Sequence, residues 1–194
     1  QPRQVAARDA VTPHFISCPV RATDNEAIRQ KMFALRYEVY CLERKFLPAD
    51  RYPSGLEYDE HDYCSTHFVA LNRARELAGT ARLVQPRGDQ PFPFETHCGA
   101  LLENVRLPPK NQCGEVSRVI VHSNYRRRRG DSSEGVARDF LSAATPVGLS
   151  GAGPGQHERR SNRPEILLGL HRQMYHYSLD AGVRYWYAAM EKPL

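Results

Sequence analysis

Gly114-Glu-Val-Ser-Arg-Val-Ile-Val-His122 reads as a buried β-strand, rich in β-branched residues and interrupted by three polar ones. Strand alternation assigns Glu115, Ser117 and Val119 to one face, and Val116 and Arg118 to the other. A carboxylate at the edge of a central strand is placed to deprotonate an ammonium nucleophile, directly or through water. A Glu–Arg ion pair tying the strand to its neighbours is the plainer reading of the same residues. Tyr125-Arg-Arg-Arg-Arg-Gly130 follows at once. A strand running into an Arg- and Gly-rich loop is one way to hold a phosphate; a solvated charge run is the other.

Towards the N-terminus, Leu77-Ala-Gly-Thr-Ala-Arg-Leu-Val84 and His67-Phe-Val-Ala-Leu71 are predicted as a hairpin joined by a polar turn at Arg73 to Glu76. Before them lies an acidic cluster, Glu57, Asp59, Glu60 and Asp62, and a loop marked by Pro48, Pro53 and Gly55. Ile28, Met32, Leu35, Val39, Leu42 and Phe46 recur at helical steps and predict a helix from Asn25 to Phe46. Residues 1–24 are expected to be a flexible lead without the apolar core of a signal peptide. Residues 85–113 read as a long Pro- and Gly-rich connection with a short helix at His97 to Leu102.

Towards the C-terminus, residues 142–164 carry Gly148, Gly151, Gly153, Pro154 and Gly155 and read as a flexible insertion. A helix is predicted from Glu165 to about Asp180, with Leu167, Leu170, Met174 and Tyr177 on one stripe. Gly182 stops it, and Val183 to Met190 reads as a last strand. The order helix, hairpin, strand, basic loop, helix, strand predicts one α/β sandwich over residues 1–194.

At 194 residues the chain suffices for one domain with a real core, and no apolar run approaches the roughly 18 residues of a membrane span. The net charge is +5, and 23 of the 27 basic residues are Arg, which suits phosphate and carboxylate partners. Most are scattered, which argues against nucleic acid. The five cysteines, Cys18, Cys41, Cys64, Cys98 and Cys113, show no CxxC spacing and an odd count, so reduced thiols in a cytoplasmic protein are expected. The eight His show no HExxH or HxH pair, and no metal site is expected.

Several charges fall where apolar residues belong: Arg36 beside the first helix's stripe, Arg82 inside a strand, Asp59 and Asp62 just before one. Buried charges need partners, so a single network joining Arg36, Asp59, Asp62, Arg82, Glu115 and Arg118 is expected.

Arg36-Tyr-Glu-Val-Tyr40, Phe46, Glu57-x-Asp59-x-x-Asp62, Gly79-Thr-Ala-Arg82-Leu and Glu115-Val-Ser117-Arg118 together resemble the motif series of the acyl-homoserine-lactone autoinducer synthases. Those enzymes have the fold of the GCN5-related N-acyltransferases (GNAT). Leu35 to Arg51 looks closer still to the acyltransferases associated with PEP-CTERM/exosortase systems, themselves similar to bacterial long-chain N-acyl amino acid synthases. The resemblance implies a GNAT-like three-layer α/β/α sandwich with a mixed, mostly antiparallel sheet. It implies that the chain stops short of the family's last strands.

It also implies an N-acyltransferase moving a long-chain acyl group from an acyl carrier protein or CoA thioester to the amine of a small acceptor such as an amino acid. The thioester is a co-substrate, no bound cofactor is implied, and the product is lipid-like. A homoserine-lactone synthase using S-adenosylmethionine and a non-catalytic acyl-carrier scaffold are the other readings. Carried over position by position, Glu115 is the general base, with Ser117 and Arg118 beside it. Arg36, Asp59, Asp62 and Arg82 shape the acceptor side, and Tyr40 and Phe46 line it. Val119, Ile120 and Val121 pair with the pantetheine arm. Arg126, Arg127, Arg128, Arg129 and Gly130 meet its phosphate or an acidic carrier protein. Asp131-Ser-Ser follows Gly130 where the family has Gly-x-Gly/Ala, a departure that favours a carrier-protein donor over CoA.

Overall fold

β1 (Phe15–Val20), β2 (Ser65–Asn72), β3 (Leu77–Val84), β4 (Cys113–Val121) and β5 (Tyr185–Tyr187) form one sheet in that order in the computed structural model, which describes residues 15–20, 26–99, 105–126 and 163–189. The first four strands pair antiparallel, and β5 joins β4 in parallel through Cys113–Tyr185, Gly114–Trp186 and Glu115–Tyr187. Beyond Glu115 the outer edge of β4 has no partner strand among the described residues.

Helix α1 (Glu26–Tyr37) covers one face of the sheet and α3 (Arg163–Asp180) the other; the short α2 (Pro93–Cys98) lies in the connection before β4. Alternation along β2 sends Phe68 and Ala70 to α3, where Ile166, Leu170 and Met174 are fully buried among them. Val69 and Leu71 face α1 and pack against Met32 and Phe33. The result is the expected three-layer sandwich with a mixed, mostly antiparallel sheet. Gly79 lets α3 settle on the sheet: a Cβ there would lie 2.8 Å from both the Ile120 carbonyl oxygen and Ile166 Cγ2.

Four boundaries differ from expectation. Within the lead expected to be flexible, Phe15–Val20 is an edge strand paired along its length with β2 and packed under α3. The remainder of residues 1–24 lies outside the described residues. The first helix is α-helical only to Tyr37 and continues as a π-helical turn, Glu38–Glu43, closed by the Arg44 amide donating to the Val39 carbonyl at 2.8 Å. The short helix before β4 starts earlier, at Pro93, because Pro suits a first helical turn and Glu95 caps the Phe92 amide. The last strand is only Tyr185–Tyr187, since its pairing ends at Glu115. The expected insertion at 142–164 falls outside the described residues up to position 162.

Candidate active site

Arg36 sits four residues after Met32 on the buried stripe of α1, so the helix carries its guanidinium into the interior at 0% exposure. Burying a charge without partners is prohibitive, and the loop after the π-turn supplies them. Arg36 Nε donates to Glu57 Oε2 at 2.5 Å, and its two terminal nitrogens donate to the two oxygens of Asp62 at 2.8 and 3.1 Å. Arg82, reaching in from β3, donates to Asp59 at 2.6 Å and Asp62 at 2.9 Å, while its Nε donates to Ser117 Oγ at 3.0 Å. Arg118 from β4 grips Glu57 through Nε and a terminal nitrogen and reaches Asp59 at 3.0 Å.

The loop is built to present those acids. The Glu57 amide donates to the Phe33 carbonyl, fixing the loop on α1. Asp59 caps the 3-10 turn Glu60–Cys64 by accepting from the His61 amide, and Asp62 accepts from the Asp59 amide at 2.7 Å. Burial acts to raise the carboxyls of Glu57, Asp59 and Asp62, yet the surrounding guanidiniums outweigh it and hold all three below the ordinary carboxylate range. His67, beside Asp62 at 3.5 Å, is pulled down to about 4 by its burial despite that carboxylate, and so stays neutral at physiological pH.

Alternation alone would leave Arg118 on the opposite face from Ser117. A β-bulge overturns that expectation. Arg82 opposes Ser117 while Thr80 opposes Ile120, so β4 holds one residue more than β3 over this stretch. Arg118 takes up the excess at φ +52°, the left-handed region that non-glycine residues seldom adopt. The bulge turns Ser117 and Arg118 both into the cluster. It also stacks the Arg118 guanidinium on the Tyr40 ring, 5.1 Å from its centroid.

Glu115 departs from the expected network. Among the described residues it forms no ion pair; its Oε2 instead accepts from the Phe94 amide of α2 at 3.0 Å. Burial raises its carboxyl above the ordinary value, opposed by the Phe94 amide and by the charges of Arg82, His97 and Arg118. Its place in the web is taken by Glu57, fully buried between Arg36 and Arg118 and absent from the sequence-predicted site. The signal was available: Glu57 opens the Glu57-x-Asp59-x-x-Asp62 motif.

A cavity of about 780 Å³ opens onto this cluster, lined by Tyr40, Phe46, Tyr52, Asp59, Arg82 and Phe94 and floored by Glu115, Ser117 and Arg118. The π-turn aims Tyr40 inward, and the Phe46 and Leu47 amides return to its carbonyl, setting the Tyr40 and Phe46 rings 6.2 Å apart. Arg36 and Asp62 stand behind the wall as its support. Val119 is exposed and Ile120 and Val121 buried on β4 beyond the cavity lining. Arg126 forms a bidentate pair with Glu43, one contact at 2.6 Å, tying the end of the π-turn to the segment after β4. Arg127, Arg128, Arg129 and Gly130 lie outside the described residues. Cys41 is buried, and the Cys64 thiol donates to the His61 carbonyl. Among the described residues no group of three His, Cys, Asp or Glu is arranged to hold a metal ion.

The α/β/α sandwich, with the parallel pairing of β5 to β4 ending at the buried Glu115 among the described residues, accords with the family that the sequence matches. Residues 35–133, half of the chain, match the acetyltransferase (GNAT) domain family, and the chain belongs to that family. Among solved structures it is similar to the acyl-homoserine lactone synthase LasI, at 18% identity and a TM-score of 0.54, over 90% of this chain and 71% of that one. It is also similar to BjaI, a CoA-dependent acyl-homoserine lactone synthase solved with SAM and isopentyl-CoA (21% identity, TM-score 0.58, 91% and 67% coverage), and solved with MTA (TM-score 0.59). At these identities the likeness is one of fold. No curated protein matches the chain.

Proposed function

We propose that this acyltransferase moves a long-chain acyl group from an acyl carrier protein or CoA thioester onto the amine of a small acceptor such as an amino acid. The observation that carries the reading is Glu115: a buried carboxyl outside the ion-pair web among the described residues, on a cavity floor, at the last described pair between β4 and β5. Glu115 takes a proton from the acceptor ammonium, and the amine attacks the thioester carbonyl. Ser117 and Arg118 set the position of the strand around it. The tetrahedral intermediate collapses, the C–S bond breaks, and the leaving thiolate takes up the second proton lost by nitrogen. The products are an amide and a free thiol.

From Val116 to Val121 the outer edge of β4, without a partner strand among the described residues, offers backbone N–H and C=O groups to the two amides of a pantetheine arm and to the oxyanion. Arg36, Asp59, Asp62 and Arg82 shape the acceptor side, which Tyr40 and Phe46 line. Arg126 to Gly130 receive the pantetheine phosphate or an acidic carrier protein, and Arg126 must then exchange Glu43 for that anion. The resemblance of Leu35 to Arg51 to PEP-CTERM/exosortase-associated acyltransferases supports a lipid-like product over a signalling lactone. The SAM-bound relative keeps lactone synthesis as the second reading. The odd count and irregular spacing of the five cysteines accord with a cytoplasmic site of action, where acyl thioesters are made.

The test is mass spectrometry of lipid extracts from bacteria expressing the chain, beside a Glu115→Gln control. The expected result is a new N-acylated amine whose yield falls by about 10²–10⁴ in the control, the usual weight of a positioned general base. A lactone product with methylthioadenosine release would establish the second reading. Equal yield from the Glu115→Gln control would remove Glu115 as the base.

A further inference from the structure

β4 fixes where Glu115 starts, but among the described residues a single hydrogen bond fixes where its carboxyl points. Oε2 accepts from the Phe94 amide at 3.0 Å, while Oε1, on the cavity floor, has no hydrogen-bond partner among the described residues. That amide belongs to α2, a helix of six residues. So short a helix does not hold its own shape, because its few hydrogen bonds do not offset the dihedrals they fix. Packing has to seat it.

The packing comes from β5. Tyr187 is the register partner of Glu115 in the parallel pair, so the two side chains share a face of the sheet. Its ring centroid lies 4.5 Å from that of Phe94 and 5.6 Å from that of Phe92, and the two phenylalanines stack at 5.5 Å. Cys113 of β4 donates its thiol to the Tyr187 hydroxyl at 3.4 Å, and Leu107 packs against the same cluster. Glu95 caps the Phe92 amide and meets Lys110 at 3.6 Å, a partly exposed pair of little weight. Tyr187 itself is absent from the cavity lining, so it reaches the chemistry only through α2.

Resting on the transferase reading above, we propose that Tyr187 is a positioning residue for the base: its ring seats α2 so that the Phe94 amide holds Oε2 and leaves Oε1 to take the acceptor's proton. Loosening α2 then has a chemical signature as well as a geometric one. Burial pushes the Glu115 carboxyl up, while the Phe94 amide, Arg82 from β3, His97 from α2 and Arg118 from β4 pull it down. Tyr187, from β5, stays neutral because burial raises its phenol. Removing the ring lets the amide and His97 move away together, and both losses make Glu115 keep its proton to higher pH.

The experiment follows thiol release by the purified protein from palmitoyl-CoA, and in parallel from palmitoyl-carrier protein, with a pool of the common amino acids as acceptor. Tyr187→Leu is expected to lower kcat about tenfold or more while KM stays within about a factor of two, the scale of a displaced catalytic group. It is also expected to move the acid limb of the kcat/KM profile to higher pH. Tyr187→Phe keeps the ring and is expected to restore both the rate and the limb. In a Glu115→Gln background Tyr187→Leu is expected to cost nothing further, because its effect runs through Glu115. Circular dichroism and a melting curve check the fold. Should Tyr187→Leu not fold, Phe92→Leu loosens α2 within the same cluster and carries the same expectation. An unmoved acid limb, or a loss that adds in full to that of Glu115→Gln, overturns the inference and leaves the transferase standing. Full activity in Glu115→Gln removes the base, and its positioning residue with it. No thiol release by the wild type overturns the transferase reading, and this inference with it.

Discussion

The two faces of the sheet solve opposite problems with the same strands. Against α3, Phe68, Ala70, Ala81 and Leu83 meet Ile166, Leu170 and Met174, a cluster with no charged group among the described residues. On the side of α1, Met32, Phe33, Val69 and Leu71 pack together, as do Leu35, Val39 and Ile120. Three arginines and three carboxylates then continue inward beneath the cavity. An apolar face tolerates imperfect fit gradually, because each lost contact is small. A buried charge web is all pairs or none: it adds little when complete and is ruinous when one member is missing. The difference separates what holds this molecule together from what orients its cavity.

Removing one member of the web is the strongest way to test the contrast. Arg36→Met takes from Glu57 and Asp62 one of the two guanidiniums that hold each of them and is expected to cost about 3–5 kcal/mol by chemical denaturation, with activity lost alongside. A loss within the range of a surface substitution would show the web to be solvated and the contrast false. Leu170→Ala, on the other face, is expected to cost about 2–5 kcal/mol while kcat/KM measured well below the transition stays within a factor of two. A large change in catalysis there would mean that the faces are coupled.

The pH dependence of stability sharpens the comparison further. The carboxyls of Glu57, Asp59 and Asp62 are depressed in the folded state, so their stabilisation is present above the usual carboxylate range and drains away as pH falls below about 4. His67 acts earlier. Its folded value of about 4 lies below the ordinary 6.5, so the unfolded chain binds a proton first and stability falls between pH 6.5 and 4. The full effect is about 3 kcal/mol, and His67→Gln should flatten that stretch of the melting-temperature profile. A wild-type profile flat over that range would place the histidine in a wetter setting than the web implies. The smallest effect is expected at the rim, where Glu43→Gln should cost no more than about 1 kcal/mol. A larger loss would extend the buried web to the π-turn.

The apolar face was legible in the sequence because burial there follows period. Leu167, Leu170, Met174 and Tyr177 mark α3, and the hairpin shows its runs and its turn. Charged positions inside those periods announced the web, and of its six members only Glu57 was missing from the expected network. What escaped was set by geometry that leaves no local signature. Phe15–Val20, with Ser17, Cys18 and Pro19 in its middle, does not alternate cleanly, and becomes a strand through its pairing with β2. Apolar spacing of three and four cannot reveal the π-turn at Glu38–Glu43. Arg118 at positive φ stands where a reader of sequence expects glycine or asparagine, so the bulge and the face it selects were hidden. Without the bulge, Glu57 has no evident second partner.

The web also dictates an order of assembly. Its contacts join residues 26, 35 and 61 positions apart, and no fragment of the chain contains them all until α1, the acidic loop, β3 and β4 have docked. In a partly folded chain those six groups remain hydrated and gain nothing by approaching one another. Closing such long loops is slow, and the reward arrives only with the last element. The cavity therefore comes into being in a single late step. A nascent or damaged chain has no half-formed version of it.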